Sequence, residues 1–292
     1  MKKNTISDIR PADRLNLGFL SFLALVTAVF YRQVASPLLL ITFYSGLILL
    51  QALLIRNRKR NGFIKLTYDL LFPIVCILMV FDSLERLVHY INPRDIDPLL
   101  IRLDYLLFGG YPTVMLEAIM TPLLTDVLQT AYSSYYFLPV TLGVVLKLKG
   151  DDLAFDRSLF LIMLCFYLSY MGYMLMPAIG PRFTLNHLQS RELEGLLITE
   201  PLQQLLNRLE GVKRDAFPSG HTAITLTVVY LAWRFEKKLF AVMLPVALAL
   251  IFSTVYCRYH YVVDVIGGAA LTLITIAAGE TYYGYRTKNT HR

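Results

Sequence analysis

Long apolar segments limit most strongly what this chain can fold into. A helix needs about 20 predominantly apolar residues to cross a bilayer, and eight segments of the 292-residue chain approach or exceed that length. They cover roughly residues 15–35, 37–55, 66–90, 121–146, 158–177, 220–235, 239–257 and 262–282. Because a backbone in lipid must satisfy its own hydrogen bonds, the sequence predicts an all-α, polytopic membrane helical bundle with about eight spans.

Basic residues mark one side of this predicted bundle. Eighteen of the 28 Lys and Arg residues lie at alternate span ends. They are Lys2, Lys3, Arg10, Arg14, Arg56, Arg58, Lys59, Arg60, Lys65, Lys147, Lys149, Arg157, Arg234, Lys237, Lys238, Arg286, Lys288 and Arg292. Loops rich in Lys and Arg stay cytoplasmic, so we expect both termini in the cytoplasm and the loops with Arg182, His221 and His260 on the opposite side. The distribution also argues against nucleic-acid binding, in spite of a net charge of +7.

The predicted spans divide into a hairpin and a core. Residues 1–65 form a two-span hairpin with a basic linker, and residues 66–292 form a six-span core that carries every candidate site residue. Two further helices are too short to cross a bilayer. Asp-Pro at residue 97 and Gly-Gly at residue 109 delimit an interfacial helix, and leucine spacing predicts an amphipathic helix over residues 201–210.

A charged patch occupies the end of the third span. Asp82 and Arg86, like Glu85 and His89, are four residues apart and therefore share a helix face. We expect these side chains to form two ion pairs.

The tetrapeptide from Pro218 to His221 lies where a polar loop enters the sixth span. Ser219 is a good N-cap residue, and the amides around Gly220 and His221 are free to bind an anion at the positive end of the helix. Glycine lets a phosphate oxygen approach the backbone closely.

His260 and Asp264 are a second pair with chemical potential. On a helix they share a face, so the carboxylate can accept the Nδ1 proton and leave Nε2 as an oriented nucleophile. His221 is then the natural general acid for the leaving oxygen. A His/His/Asp metal site is the alternative, but the helix N-terminus favours an anion, and the three cysteines have no metal or redox spacing.

Four cations accompany these motifs. Arg182 and Arg258 can offer forked donors to phosphate oxygens. Lys213 and Arg214 precede the tetrapeptide and form either part of the phosphate site or an electropositive rim.

Together these motifs resemble the type 2 phosphatidic acid phosphatase and haloperoxidase superfamily. Its signature is Lys-x6-Arg-Pro, then Pro-Ser-Gly-His, then Ser-Arg-x5-His-x3-Asp, on a six-helix bundle that residues 66–282 resemble in order. The chain departs from it at Leu175, Phe183 and Thr254, where the signature has Lys, Pro and Arg. The segments at residues 215–221 and 258–264 look more like the inositol phosphorylceramide synthase branch, whose members transfer phospho-headgroups between lipids.

The resemblance implies a role for each site residue. His260 resembles the nucleophile that forms a phosphohistidine, Asp264 its orienting partner and His221 the acid. Arg182, Ser219 and Gly220 match phosphate-binding positions.

The sequence therefore predicts a membrane lipid phosphate phosphatase that needs no metal or organic cofactor. Its expected partners are the bilayer and a phosphorylated lipid, with no nucleic acid. We expect it in a bacterial inner membrane with the site facing the periplasm. Two alternatives stay open: a lipid phosphotransferase with an alcohol acceptor, and a channel or transporter.

The sidedness can be tested with single cysteines in a Cys257→Ser background. A cysteine at Gln189 should react with a membrane-impermeant thiol reagent in intact cells, and one at Lys288 only after lysis. The reverse pattern would place the site in the cytoplasm.

Overall fold

The computed structural model describes residues 9–209 and 214–290, and within these ranges it contains helices and no strand. The helices are α1 (Pro11–Val29), α2 (Pro37–Asn57), α3 (Gly62–Leu66), α4 (Phe72–Ile91), α5 (Asp97–Phe108), α6 (Pro112–Met115), α7 (Pro122–Ser133), α8 (Phe137–Leu148), α9 (Asp152–Leu175), α10 (Pro181–Thr184), α11 (Thr199–Leu209), α12 (Gly220–Phe235), α13 (Lys237–Tyr256) and α14 (Val262–Thr290). The predicted all-α class is confirmed.

Within the described ranges, six helical segments are long and apolar enough to cross a membrane. They are Pro11–Val29, Pro37–Asn57, Gly62–Ile91, Asp152–Leu175, Lys237–Tyr256 and Val262–Gly284. A seventh is possible if α5 and the segment Pro112–Ile119, which meet at a 60° bend, form one broken span. The protein is therefore an integral membrane helical bundle.

Two of the eight predicted spans are shorter or less regular than expected. Helix α12 has only 16 residues. The predicted span 121–146 is divided into α7, a 3₁₀ turn over Ser134–Tyr136 and α8. At this break the Ser133 and Ser134 hydroxyls donate to the Gln129 and Ala131 carbonyls, at 3.0 and 2.6 Å. Such back-bonding by serine bends helices.

Helix α9 lies at the centre of the bundle and packs against α1, α4, α8, α12 and α14. Helix α12 packs in turn against α13 and α14. Because α12 and α14 both begin at the same end, their first turns and the loops before them meet there. We call this the site end, and the opposite end, where α9 begins, the basic end.

Buried polar side chains tie the first two helices to this centre. The Asn16 amide donates to Gln51 Oε1 at 2.8 Å, and the Tyr167 hydroxyl donates to Asn16. These bonds link α1, α2 and α9. The division into a hairpin (1–65) and a core (66–292) stays a prediction.

Ion pairs concentrate at the basic end. Arg10 contacts Asp69 at 2.8 Å and Asp156 at 3.4 Å, and Lys147 contacts Asp69 at 2.9 Å. Together they join α1, α8, α9 and the π turn Thr67–Leu71 that precedes α4.

The two predicted short helices are confirmed. Helix α5 runs from Asp97 to Phe108 and stops at Gly109, which has a left-handed backbone with φ 69°. Helix α11 covers Thr199–Leu209 and turns Leu206 inward while Leu205 stays exposed.

The ion pairs predicted for the charged patch on α4 are wrong. Asp82, Glu85, Arg86 and His89 are all exposed, and this described part of α4 forms no ion pair among them. The core-facing side of the same turns is taken by Ser83, Leu84, Leu87 and Val88.

We expect Asn16→Leu to lower the thermal stability of the purified protein. The change leaves the buried Gln51 amide and Tyr167 hydroxyl without their partner, at a cost of about 1–2 kcal/mol for hydrogen bonds inside a membrane bundle. Thermal unfolding in detergent measures it. Gly18→Ala is the matched control on α1, because a Cβ there meets nothing within 4 Å. Equal midpoints for Asn16→Leu and native protein would show that the network does not stabilise the bundle.

Candidate active site

The first turn of α12 forms one wall of the site. Ser219 is its N-cap, as predicted, and its side chain accepts a hydrogen bond from the Thr222 amide at 3.2 Å. The Ser219 amide donates to the Asp264 carbonyl at 3.0 Å, which joins the starts of α12 and α14. At Gly220 a Cβ would collide with the Tyr173 hydroxyl. The packing of Tyr173 against this backbone therefore requires glycine, independently of any phosphate.

His260 lies in the loop before α14 and not on the helix itself. The helix begins at Val262, so the predicted helix face shared with Asp264 is wrong. The closest acceptor for His260 Nδ1 is the Ala216 carbonyl at 2.8 Å, and Asp264 Oδ2 is 3.4 Å away. Asp264 Oδ2 instead accepts the Tyr261 amide at 2.8 Å. Because a carbonyl can only accept, Nδ1 carries the proton and Nε2 keeps its lone pair.

The two histidines converge. Their ring centroids are 5.6 Å apart, and both side chains are buried. His221 packs between Tyr132 and Tyr135, with centroid distances of 4.4 and 4.1 Å. Sequence analysis missed these tyrosines, although the polar residues 132–136 inside an otherwise apolar segment were an available signal.

The predicted cations have different surroundings. The Arg182 guanidinium lies 5.8 Å from the ring of Tyr259, and that ring stacks on Tyr132. Two aromatic rings, Tyr259 and Tyr132, therefore lie in the line of contacts from Arg182 to His221.

Arg258 is held by groups outside the histidine pair. Its buried guanidinium contacts Glu117 at 2.9 Å and the Arg191 carbonyl at 2.6 Å, so these groups, and not an open phosphate pocket, surround it. Arg214 pairs with Asp95 at 2.7 Å. Lys213 lies outside the described residues.

Two buried carboxylates on α5 hold the loops around the histidines. Asp97 accepts the amides of Ile179 and Gly180, both at 2.9 Å. Gly180 has φ 96°, and a Cβ on it would lie 2.7 Å from the Tyr259 carbonyl, so only glycine fits. Asp97 thereby fixes the loop that leads into Arg182.

Asp104 has the same role at α14. It accepts the amides of Val262 and Val263 at 3.0 and 2.9 Å, which are free donors of the first helical turn. A carboxylate at this end also complements the helix dipole. Asp104 thus fixes the turn that follows His260.

Burial sets the charge state of His260. Removal from water lowers its pKa from 6.5 to about 4, although the nearby Asp215 carboxylate and the Ala216 carbonyl act in the opposite direction. The imidazole is therefore neutral near pH 7, as a nucleophile requires. Among the residues described, no three His, Cys, Asp or Glu side chains are grouped to hold a metal ion.

The comparisons with known proteins agree with this geometry. The family model of the PAP2 superfamily matches residues 99–278, which include both histidines and Asp264. Because the match covers more than half of the chain, the protein belongs to the PAP2 superfamily. Membership supports an enzyme that acts on phosphate esters. No curated protein and no solved structure matches the chain.

We expect turnover of an activated aryl phosphate to persist well below pH 6.5 and to be lost as the pH falls through about 4. The neutral imidazole is the reactive form, and a pKa lowered by burial keeps it neutral down to that pH. Rates measured between pH 3 and 8 on pre-equilibrated enzyme test this, with return to pH 7 as the control for unfolding. A midpoint near 6.5 would contradict a buried His260.

Asp104→Ala should lower kcat about tenfold or more, because α14 then loses the acceptor that fixes its first turn beside His260. Asp104→Asn, which keeps an amide oxygen, should recover part of the loss. Arg102→Ala, on the exposed side of the same helix, is the control. If KM rises while kcat stays native, Asp104 does not position the reacting histidine.

Proposed function

We propose that the protein is a lipid phosphate phosphatase that works through a phosphohistidine on His260. The observation that carries this proposal is the convergence of two buried histidines at a capped helix N-terminus, with ring centroids 5.6 Å apart. His260 has a neutral, oriented nitrogen, and His221 is a second imidazole close enough to take part in proton transfer.

The reaction follows from these positions. His260 Nε2 attacks phosphorus and the ester P–O bond breaks, while His221, which must be protonated in the substrate complex for this step, gives its proton to the leaving alcohol oxygen. The proton stays on Nδ1, where its hydrogen bond to the Ala216 carbonyl supports the positive charge that develops on the ring. In the second step neutral His221 takes a proton from water, whose oxygen attacks the phosphohistidine. Inorganic phosphate leaves, and both histidines return to their starting forms.

The phosphate oxygens would be held by the first turn of α12 and by Arg182. The Ser219-capped N-terminus has a partial positive charge, and Arg182 reaches the same side past Tyr259. Arg258 would not contact the phosphate directly. It would position Glu117 and, through Glu117, the segment at Ser190. Arg214 and Lys213 would form the electropositive rim.

An apolar cleft favours a lipid ester as the substrate. It lies between α4, α8 and α9, has a cavity volume of about 210 Å³, is partly open to the surroundings, and has His221 at one end. A soluble sugar or nucleotide phosphate would leave this surface without a partner. The crowding of basic residues at the opposite end of the bundle supports a site on the periplasmic face of an inner membrane.

A phosphotransferase is the second candidate, and burial of the histidines favours it. A site closed to bulk water protects a reactive intermediate from hydrolysis and so leaves the phosphohistidine to an alcohol acceptor. This agrees with the resemblance of residues 215–221 and 258–264 to the inositol phosphorylceramide synthase branch.

His260→Ala should abolish turnover of lipid phosphates and remove acid-labile phosphate from the protein. His221→Ala should lower the rate on an alkyl phosphate about 100-fold or more and spare an activated aryl phosphate, because only the poor leaving group needs the acid. Equal losses on both substrates would contradict the acid role, and turnover by His260→Ala would overturn the nucleophile.

Product analysis with added glycerol or inositol separates hydrolysis from transfer, and an EDTA arm tests for a metal.

A further inference from the structure

The cleft beside His221 runs deep into the bundle, and its two ends differ in chemistry. Tyr135, Asp215 and His221 surround the site end. Its middle is apolar, with Ile77 and Phe166 on facing helices. A molecule whose phosphate lies at His221 would therefore extend its remaining atoms into an apolar channel.

Charged residues close the cleft at the basic end. Asp69 lines it there and is held by Arg10 at 2.8 Å and Lys147 at 2.9 Å. A hydrocarbon chain gains nothing by entering an ion pair, and separating that pair would leave uncompensated buried charge. The Asp69–Lys147 pair is thus a floor for an apolar ligand, and α1 contributes to it through Arg10.

Gly143 has no side chain and so leaves empty space in the cleft next to the Asp69–Lys147 floor. A Cβ on it would meet the Phe155 ring at 3.5 Å and Leu70 at 3.6 Å, both ordinary contacts. The backbone therefore tolerates a side chain here, and a larger one would fill the end of the cleft.

The length of the cleft matches one leaflet of a membrane. Asp69 and Phe81 both line it, and twelve residues at 1.5 Å each separate them by about 18 Å. The hydrocarbon depth of one leaflet is about 15 Å, half of a bilayer core. An extended chain of membrane length therefore reaches from the histidines to the floor.

We propose that this cleft binds one hydrocarbon chain of the substrate and that the Asp69–Lys147 floor sets the chain length that the enzyme accepts. The proposal rests on the proposed function, because it takes the phosphate to lie at His221 and His260. Gly143 is then a specificity-determining position remote from the reacting atoms.

Turnover of alkyl phosphates from octyl to octadecyl tests the length limit. Native enzyme should gain kcat/KM with each added methylene up to a limit. Gly143→Leu should lower kcat/KM for octadecyl phosphate about tenfold, the loss expected when roughly two methylenes stay unburied. It should leave octyl phosphate and an aryl phosphate unchanged. Gly46→Leu is the control, since Gly46 is exposed on α2 and a Cβ there meets nothing within 4 Å.

Gly143→Ala provides a milder second variant if the leucine disturbs folding. It should also lower kcat/KM for octadecyl phosphate, but by a smaller factor. A native rate that does not depend on chain length, or an equal loss by Gly143→Leu on all lengths, would overturn the proposal.

Photocrosslinking separates this proposal from the proposed function. An octadecyl phosphonate with a terminal diazirine cannot turn over, and its label should attach near Gly143 and Phe155 in native enzyme and nearer the site end in Gly143→Leu. Labelling at these positions without any phosphatase activity would keep the cleft and reject the function. Activity with labelling only on the exposed outer surface would keep the function and reject the cleft.

Discussion

Hydrogen bonds from loop amides to buried carboxylates hold the site end together. All four acceptors come from the segment 97–126. Asp97 holds the amides of residues 179 and 180, Asp104 those of 262 and 263, Glu117 that of 190, and Asp126 those of 196 to 199. Loops have no helical or sheet hydrogen-bonding pattern to satisfy their backbone amides. An ionised carboxylate accepts a stronger hydrogen bond from such an amide than a neutral acceptor does. The short outer helix α5 and the turns after it therefore frame the site.

One line of these contacts leads from α5 to the reacting ring. Asp97 fixes Ile179 and Gly180, and the neighbouring Ala178 carbonyl accepts the Ala216 amide at 3.1 Å. The Ala216 carbonyl in turn accepts His260 Nδ1 at 2.8 Å. The peptide chain joins Ala178 to Ile179 and Gly180, and hydrogen bonds make the other steps, so the orientation of the imidazole depends on a carboxylate that is remote in sequence. The chemistry assigned to His260 thus requires α5 as much as α12 and α14.

Local features were predictable, and long-range ones were not. The N-cap Ser219, the end of α5 at Gly109 and the apolar spans follow from residues within one turn of each other, where sequence spacing and geometry are tied. The pair of Arg258 and Glu117 joins residues 141 apart. Nothing local distinguishes such an arginine from a phosphate ligand, so its predicted role rested on its forked donors and its position two residues before His260. The predicted helix face at His260 failed for a local reason, because a spacing of four residues implies a shared face only after a helix has begun, and α14 begins at Val262.

Under the proposed function, the cleft and the histidines together orient a substrate that lies in the membrane. Binding energy from parts of a substrate that do not react can be used to orient the reacting centre. In the proposed reaction the hydrocarbon chain fills the space between α4, α8 and α9 and fixes where the phosphorus can lie relative to His260. The binding energy of the hydrocarbon chain, gained far from the reacting atoms, then helps to orient the phosphorus for attack by His260. In this proposal Arg10, the N-cap of α1, helps to form the cleft floor, so the first helix would contribute to the binding site as well as crossing the membrane.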